Sequence, residues 1–212
     1  MADERTRAQK SARRRSTYHH GDLKRALTQA ALALVAEKGP KGFTLTEAAR
    51  RAGVSAAAPY RHFTDKAQLL AAVAEEGFIQ LNEALSAAGE GSPDPKNRVI
   101  ELGRAYVRWA VNHPDYYLSM FGTEMVKRDH PDLLVAGGRA FDNLVDAIAS
   151  CLDSGVLEGQ DPLEIAGPMW SLVHGVASLA IGGDLCDVGI DEDPEALVVR
   201  ATTEFLAVAE PA

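Results

Sequence analysis

Apolar residues recur along this chain at helical spacing and nowhere alternate over the length of a strand. Leu23, Leu27, Ala30 and Leu34 set a first stripe, which Lys38-Gly39-Pro40 ends. Leu45, Ala48, Ala49 and Ala52 set a second at i, i+3, i+4 and i+7, opened by Thr44 with Glu47 three residues on, the pattern of a capping box. Gly53 stands where that helix must stop and the chain must turn, and Ser55 is placed to cap a further helix carrying Ala56, Ala57, Ala58, Tyr60, Arg61 and His62. Pro59 falls in the first turn of this helix, where its missing N–H is expected to cost no helical bond. A long helix follows from Asp65 to about Ala88, closed by the Gly/Ser/Pro-rich stretch 89–95. Asp94-Pro95, Asp161-Pro162 and Asp193-Pro194 each read as a helix start, the Asp capping and the Pro wasting no N–H. His113-Pro114 breaks one helix and Gly122 ends the short one after it. Pro168 either kinks the helix it lies in or marks its true beginning. The fold class is all-α.

Residues 44–63 are therefore a helix-turn-helix, an element that lays its second helix in the DNA major groove with the N-terminal residues at base edges. Here those residues are Ser55, Ala56, Ala57 and Ala58. Alanine offers a methyl that can touch a thymine methyl but cannot discriminate by hydrogen bonding, which leaves Arg61, the tail arginines and DNA shape to supply specificity.

The segment resembles the DNA-binding domain of the TetR (tetracycline-repressor-like) family. The resemblance rests on the opening helix from Gly21 to Gly39, Phe43-Thr44-Leu45, Ala52-Gly53-Val54-Ser55, Tyr60-Arg61-His62-Phe63, and Lys66 before Leu69-Leu70, in order over about 60 residues. It implies phosphate contacts by Thr44, Tyr60, His62 and Lys66, which fix register without reading sequence. His62 also reads as a cap or packing histidine, and Phe63 reads as core. The resemblance further implies a C-terminal helical body with a small-molecule pocket, and a homodimer through two late helices. A dimer suits a palindromic operator, whose two readers sit about 34–36 Å apart. Repression, rather than activation, is the family's usual mode, and a repressor released from its operator by a small-molecule effector is expected. The implied division is 1–20 as a basic N-terminal arm, 21–82 as the DNA-binding domain, and 83–212 as the regulatory and dimerisation domain.

Charge supports this polarity. Residues 1–70 hold 14 Lys+Arg against 6 Asp+Glu, while residues 71–212 hold 8 against 24, within an overall net charge of −8. The basic third coincides with the helix-turn-helix and suits a phosphate-binding surface; the acidic body repels DNA. The tail with Arg13-Arg14-Arg15 reads either as a solubilising segment or as an arm along a DNA groove. Two cysteines, Cys151 and Cys186, with no CxxC, fit a reducing cytoplasm. No apolar run of membrane-spanning length is read and the N-terminus is charged, so a soluble cytoplasmic protein is expected.

Within the body, Tyr106, Trp109, Tyr116, Tyr117 and Phe121 fall close together, and Val99, Leu102, Tyr106, Trp109 and His113 share one helix face. Two readings stay open: a well-filled core, or a pocket for a small effector. On the second, the lining is Trp109, His113, Tyr117, Met120, Phe121, Phe141, Trp170 and His174. The acidic body favours a neutral or cationic effector over an anion. Trp170, His174 and Gly175 resemble the C-terminal domain of a TetR subgroup named after its Trp, His and Gly. Leu197, Ala201, Phe205 and Val208 form a late stripe suited to the dimer.

A helical enzyme is the competing class. Di-iron bundles need Glu-x-x-His on two helices, yet the residues three before the six histidines are Ser16, Thr17, Pro59, Ala110, Lys127 and Ser171. HExxH, GxSxG, P-loop and GxGxxG motifs are absent from the sequence. No cofactor or metal is expected. A DNA-binding protein without an effector is the nearer alternative.

Overall fold

The computed structural model describes residues 23–90, 92–122 and 126–209. The expected arm at 1–20 lies outside them, as does Gly21. Among the described residues the regular structure is helical. Helix α1 occupies 23–38. Then come α2 (Leu45–Arg51), a 3-10 turn (Pro59–Arg61), α3 (Lys66–Glu90), α4 (Pro95–Asn112) and α5 (Pro114–Phe121). A second 3-10 turn (Lys127–Asp129) precedes α6 (Pro131–Asp153), α7 (Pro162–Gly182), α8 (Asp184–Asp187) and α9 (Pro194–Val208).

Local chemistry sets these boundaries. Thr44 Oγ1 accepts from the Glu47 N–H at 3.2 Å while Glu47 Oε2 accepts from the Thr44 N–H at 2.8 Å, a reciprocal capping box. Asp94, Asp161 and Asp193 each accept a backbone N–H in the first turn of α4, α7 and α9, with Pro at the first helical position. The end of α2 is a Schellman motif: Val54 N–H bonds Ala49 O at 3.0 Å and Gly53 N–H bonds Arg50 O at 3.2 Å. Gly53 takes φ 71°, a conformation a side chain resists.

Two expectations about the late helices are corrected. Pro168 does not begin α7; the helix starts six residues earlier and runs through it. Pro168 and Glu164 both lie on the exposed side, so water can serve the carbonyl that lacks its helical N–H. In addition, α7 is long and apolar enough to cross a membrane by length and composition, contrary to the expectation from sequence. Its Leu, Ile, Val and Ala residues raise its hydropathy, and Glu164 is its single formal charge. Ala166, Met169, Val173 and Ala177 are its buried residues, and the other faces lie partly or fully open in the single chain.

The core is continuous from the first helix to the last. Leu27, Leu34, Phe43, Leu45, Phe63 and Leu69 pack the N-terminal helices around the start of α3. Further along α3, Phe78, Leu81 and Leu85 join Val99, Leu102, Tyr106 and Leu133 of the body. The expected boundary after residue 82 thus falls inside one 25-residue helix. Helix α3 packs on α4, α5 and α6, and α4 in turn packs on α6, α7 and α9. Arg108 Nε donates to Glu195 Oε1 at 2.8 Å, pinning α4 to the first turn of α9.

Glycine lets two of these crossings close. A Cβ on Gly77 would lie 2.7 Å from Met120 Sδ and 3.2 Å from Tyr116 Cδ1; one on Gly103 would lie 3.3 Å from both Thr202 Oγ1 and Val173 Cγ1. Gly77→Val is expected to force α5 off α3 and destabilise by about 1–3 kcal/mol, read as a lowered denaturation midpoint at unchanged m-value.

Candidate functional site

The reader is built on α1 and α2, whose buried stripes clamp the segment 55–63 from beneath. Ser55, Ala56 and Ala57 are exposed, Ala58 is half-buried, and Pro59 and Phe63 are buried. Tyr60 stands 61% exposed with Arg61 exposed beside it. The expected second α-helix is corrected by the structure. Residues 56 and 57 form a turn, residue 58 a bend, and only Pro59–Arg61 is helical, as 3-10. With Ser55 as cap, Pro59 occupies the fourth helical position, the first whose N–H would bond back to the cap carbonyl. That bond cannot form, and the chain tightens instead to i→i+3 bonds: Ala58 N–H to Ser55 O at 3.0 Å and Arg61 N–H to Ala58 O at 3.2 Å. The Ser55 hydroxyl makes no capping bond among the described residues.

The flanking contacts divide by chemistry. The Thr44 hydroxyl donates to Glu47 Oε2 at 3.1 Å, so its proton belongs to the capping box. Lys38 pairs with the same carboxylate at 2.9 Å; this bond and the Thr44 donors hold the Glu47 pKa down to about 2. Lys66 Nζ donates to Lys41 O at 3.1 Å and sits 4.6 Å above the Phe43 ring. It ties the α1–α2 loop to the first turn of α3, and its partial burial lowers its pKa. His62 is half-buried, its ring 6.4 Å from that of Phe63.

At the other end of α3 the body forms a half-open cavity of about 440 Å³ between α3, α4, α6 and α7, with Phe121 of α5 and Lys127 of the second 3-10 turn at its wall. Its wall is almost wholly apolar, with Phe78, Leu81 and Leu85 from α3 among the residues that line it. Behind the wall, Tyr106 Oη and Tyr117 Oη each lie 3.0 Å from His174 Nδ1. Tyr117 Oη also donates to the His174 carbonyl at 3.2 Å. Burial pushes the Tyr117 hydroxyl up to about 12 and raises Tyr106 further.

This architecture has known relatives. Residues 27–73 match the family model described as bacterial regulatory proteins, tetR family, and residues 99–205 match the tetracyclin repressor-like C-terminal domain. The chain belongs to the TetR family of bacterial transcriptional regulators. Among curated proteins it is 35% identical over 85 residues to the HTH-type transcriptional regulator BetI of Rhizobium meliloti (strain 1021). That match spans 40% of this chain and 42% of the relative. A Rhodococcus sp. RHA1 protein of unknown function shares the fold at TM-score 0.79 and 32% identity, covering 92% of this chain and 98% of its own. The TetR-family regulator PfmR of Thermus thermophilus (TM-score 0.67, 18% identity, 85% and 97% covered) shows the same fold. So does the fatty acid degradation regulator FadR of Bacillus halodurans (0.70, 14%, 86% and 94%).

Of the effector residues expected for this TetR-family body, Phe121, Phe141 and Trp170 line the cavity. Trp109, His113, Tyr117, Met120 and His174 do not. Trp109 is buried and stacks on His113 at 4.9 Å, and His113 Nδ1 bonds Trp109 O at 2.8 Å, so this pair is satisfied within its own helix end. Met120 is fully buried against Gly77. Tyr117 and His174 stand one layer back, as support for Tyr106 and Phe121, the His174 ring lying 4.6 Å from that of Phe121. Sequence reasoning missed Phe78, Leu81, Leu85, Lys127 and the Gly137-Gly138 pair as lining residues. The glycine pair was the legible signal: two missing side chains in the middle of an amphipathic helix leave space beside it.

His174 is held neutral, its pKa lowered first by burial and then by the charge of Lys127. A base whose folded pKa is depressed contributes stability that is present above the unfolded value, about 6.5, and is lost as pH falls from there through the folded value. Melting temperature is therefore expected to drop between pH 7 and pH 5. His174→Gln should flatten that slope, and thermal melts across the range check it.

Proposed function

We propose that this regulator is a homodimeric repressor that binds a palindromic operator and is released by a small-molecule effector held in the α3–α4–α6–α7 cavity. The carrying observation is that one helix serves both ends. Lys66 in the first turn of α3 is tied to the α1–α2 loop of the DNA-binding part, while Phe78, Leu81 and Leu85 on the same helix wall the cavity. An effector acts only through a difference in affinity for two arrangements of the readers. A shift of α3 by an occupied cavity is the simplest source of that difference. The division into a DNA-binding part at 21–82 and a regulatory part at 83–212 is functional on this reading, since α3 crosses it.

At the DNA, exposed Ser55, Ala56 and Ala57 with half-buried Ala58 form the surface that enters the groove. Tyr60 and His62 meet phosphates, and Arg61 reads a base. Lys66 has its ammonium shared with Lys41 O and Phe43 and contributes a phosphate contact at the edge of the site. Thr44 serves as the cap that positions the reader. The dimer forms through α7 and α9: α7 presents Ser171, Ser178, Leu179 and Gly182 outward, and a Cβ on Gly175 meets nothing within 4 Å among the described residues. Small residues there let a partner helix approach closely. The body is of the Trp-His-Gly subgroup, supported by the Trp170–His174 ring contact at 5.6 Å with Gly175 next in line. A cytoplasmic location goes with the same reading.

Arg61→Ala is expected to relax discrimination by about 1–3 kcal/mol at one base pair per half-site, because guanidinium grips guanine O6 and N7 where a methyl cannot. A binding-site selection that returns the wild-type motif would show that Arg61 touches only backbone. Gly175→Glu tests the dimer: the single chain has room for the side chain, yet light scattering should find monomer, with operator affinity reduced by about tenfold or more. Screening a compound library by thermal shift separates the effector reading from a DNA-binding protein without one. A ligand at about 100 Kd adds about 2.7 kcal/mol, and the hit must also lower operator affinity.

A further inference from the structure

The cavity wall has one feature that its apolar character does not explain. Its polar groups are few, and most are already satisfied inside the protein. Asn143 Nδ2 donates to Asn82 Oδ1 at 2.8 Å and to Arg139 O at 3.0 Å, and its Oδ1 accepts from Ser86 Oγ at 3.2 Å. The Tyr106 hydroxyl is engaged by His174. Lys127 is different. It lines the cavity with its ammonium 4.5 Å above the Phe121 ring and 5.3 Å from the Phe78 ring, both of which are lining residues themselves. Among the described residues no carboxylate pairs with it. Burial lowers its pKa, which is the mark of a cation whose lost hydration is not replaced by an opposite charge.

We propose that the cavity takes a ligand with an apolar body and a single monoanionic head group, a carboxylate in the simplest case, and that Lys127 pairs with that head. The assignment rests on the reading of this cavity as the effector site and names the effector's chemical class. Two aromatic faces offset part of the cost of withdrawing the half-buried ammonium from water; an anion in the same place offsets the remainder and turns a partly desolvated charge into a pair. A second polar group on the ligand would find the Asn143 amide and the Tyr106 hydroxyl already engaged and would lose much of its hydration uncompensated. A cationic ligand would meet Lys127 as a like charge, and among the described residues no acidic side chain lines the cavity to compensate. The acidic balance of the body pointed to a neutral or cationic effector, but surface charge is screened by solvent, and the wall itself carries the opposite sign. The volume of about 440 Å³ suits a small amphiphile.

The test uses the full chain and three probes of equal length: decanoate, 1-decanol and decylamine, titrated calorimetrically and followed by thermal shift. Decanoate is expected to bind the wild type about tenfold or more tightly than 1-decanol, with decylamine weakest. Lys127→Met keeps the apolar stem and removes the charge. It should abolish the decanoate advantage and leave 1-decanol within about twofold, and Lys127→Arg should restore the advantage. The comparison of probes on the wild type stands even if a variant fails to fold. Decylamine equal to decanoate, or a decanoate advantage undiminished in Lys127→Met, overturns the head-group assignment while a cavity that binds 1-decanol still stands. No binding by any of the three overturns the assignment together with its cavity. Operator affinity is measured alongside as a separate readout. Lys127-dependent decanoate binding that leaves it unchanged supports the assignment and overturns the effector reading.

Discussion

The structure depends on α3 having a place in two packed environments at once. Its first turns carry Leu69, Leu70 and Val73 into the cluster with Phe43 and Phe63; its later turns carry Phe78, Leu81 and Leu85 into the body. A continuous helix of 25 residues is about 37 Å long and resists bending. The reader cannot reorient without moving the cavity wall. Most of the other devices in the fold serve to hold this one helix. Lys66 over Phe43 fixes its start, Gly77 against Met120 fixes its middle, and the Ser86–Asn143–Asn82 bonds fix its later part to α6.

How legible this was from the sequence varied with the range of the interaction. Helix starts and stops are decided within four or five residues, so Thr44 with Glu47, the three Asp-Pro pairs and Gly53 read correctly. Pro59 was equally local but was counted one position too early, and that slip replaced a 3-10 segment with an α-helix. The buried character of Tyr106, Trp109 and Met120 was legible from spacing. Which aromatic side chains face a void was not, because a void is set by how four helices from distant parts of the chain fail to close. Trp109 and Phe121 share aromatic chemistry and high burial or partial burial, yet one stacks on its neighbour and the other lines the cavity. Helix α6 brings Gly137 and Gly138 to the wall beside Leu133 and Phe141, and the contribution of the two glycines is the absence of a side chain.

Two lysines make the same local contact for different ends. Lys66 and Lys127 each lie at about 4.5 Å from a phenylalanine ring, and burial lowers the pKa of each. Lys66 also has a carbonyl partner in Lys41, which makes it a brace within the protein. Lys127 has aromatic faces alone among the described residues, and these faces belong to the cavity. A cation–π contact at a partly desolvated site is worth about 0.5–2 kcal/mol, and it offsets only part of the hydration that the half-buried Lys127 ammonium loses, as its lowered pKa indicates. The same motif is therefore closed at one end of α3 and open at the other.

That asymmetry fixes how an occupied cavity could reach the DNA. The contact of Gly77 with Met120 lies one residue before Phe78, the first α3 residue in the wall. Eleven residues, or about 16 Å of helix, separate Gly77 from Lys66. A displacement at the wall that is resisted at Gly77 is transmitted to the far end of a rigid arm of that length. Sub-ångström shifts at a packed site become useful only when a rigid element carries them, since well-packed interiors do not deform continuously. In the proposed dimer the two arms would move their readers in opposite senses, so a modest rotation of each would change the spacing twice over. Since operator binding demands one spacing, the ligand need bind the altered arrangement only about 100-fold better, roughly 2.7 kcal/mol, to shift the equilibrium by the same factor. The pairing of Lys127 with an anion beside Phe78 and Phe121 acts at the wall next to that pivot, where a small displacement has the longest lever to work through.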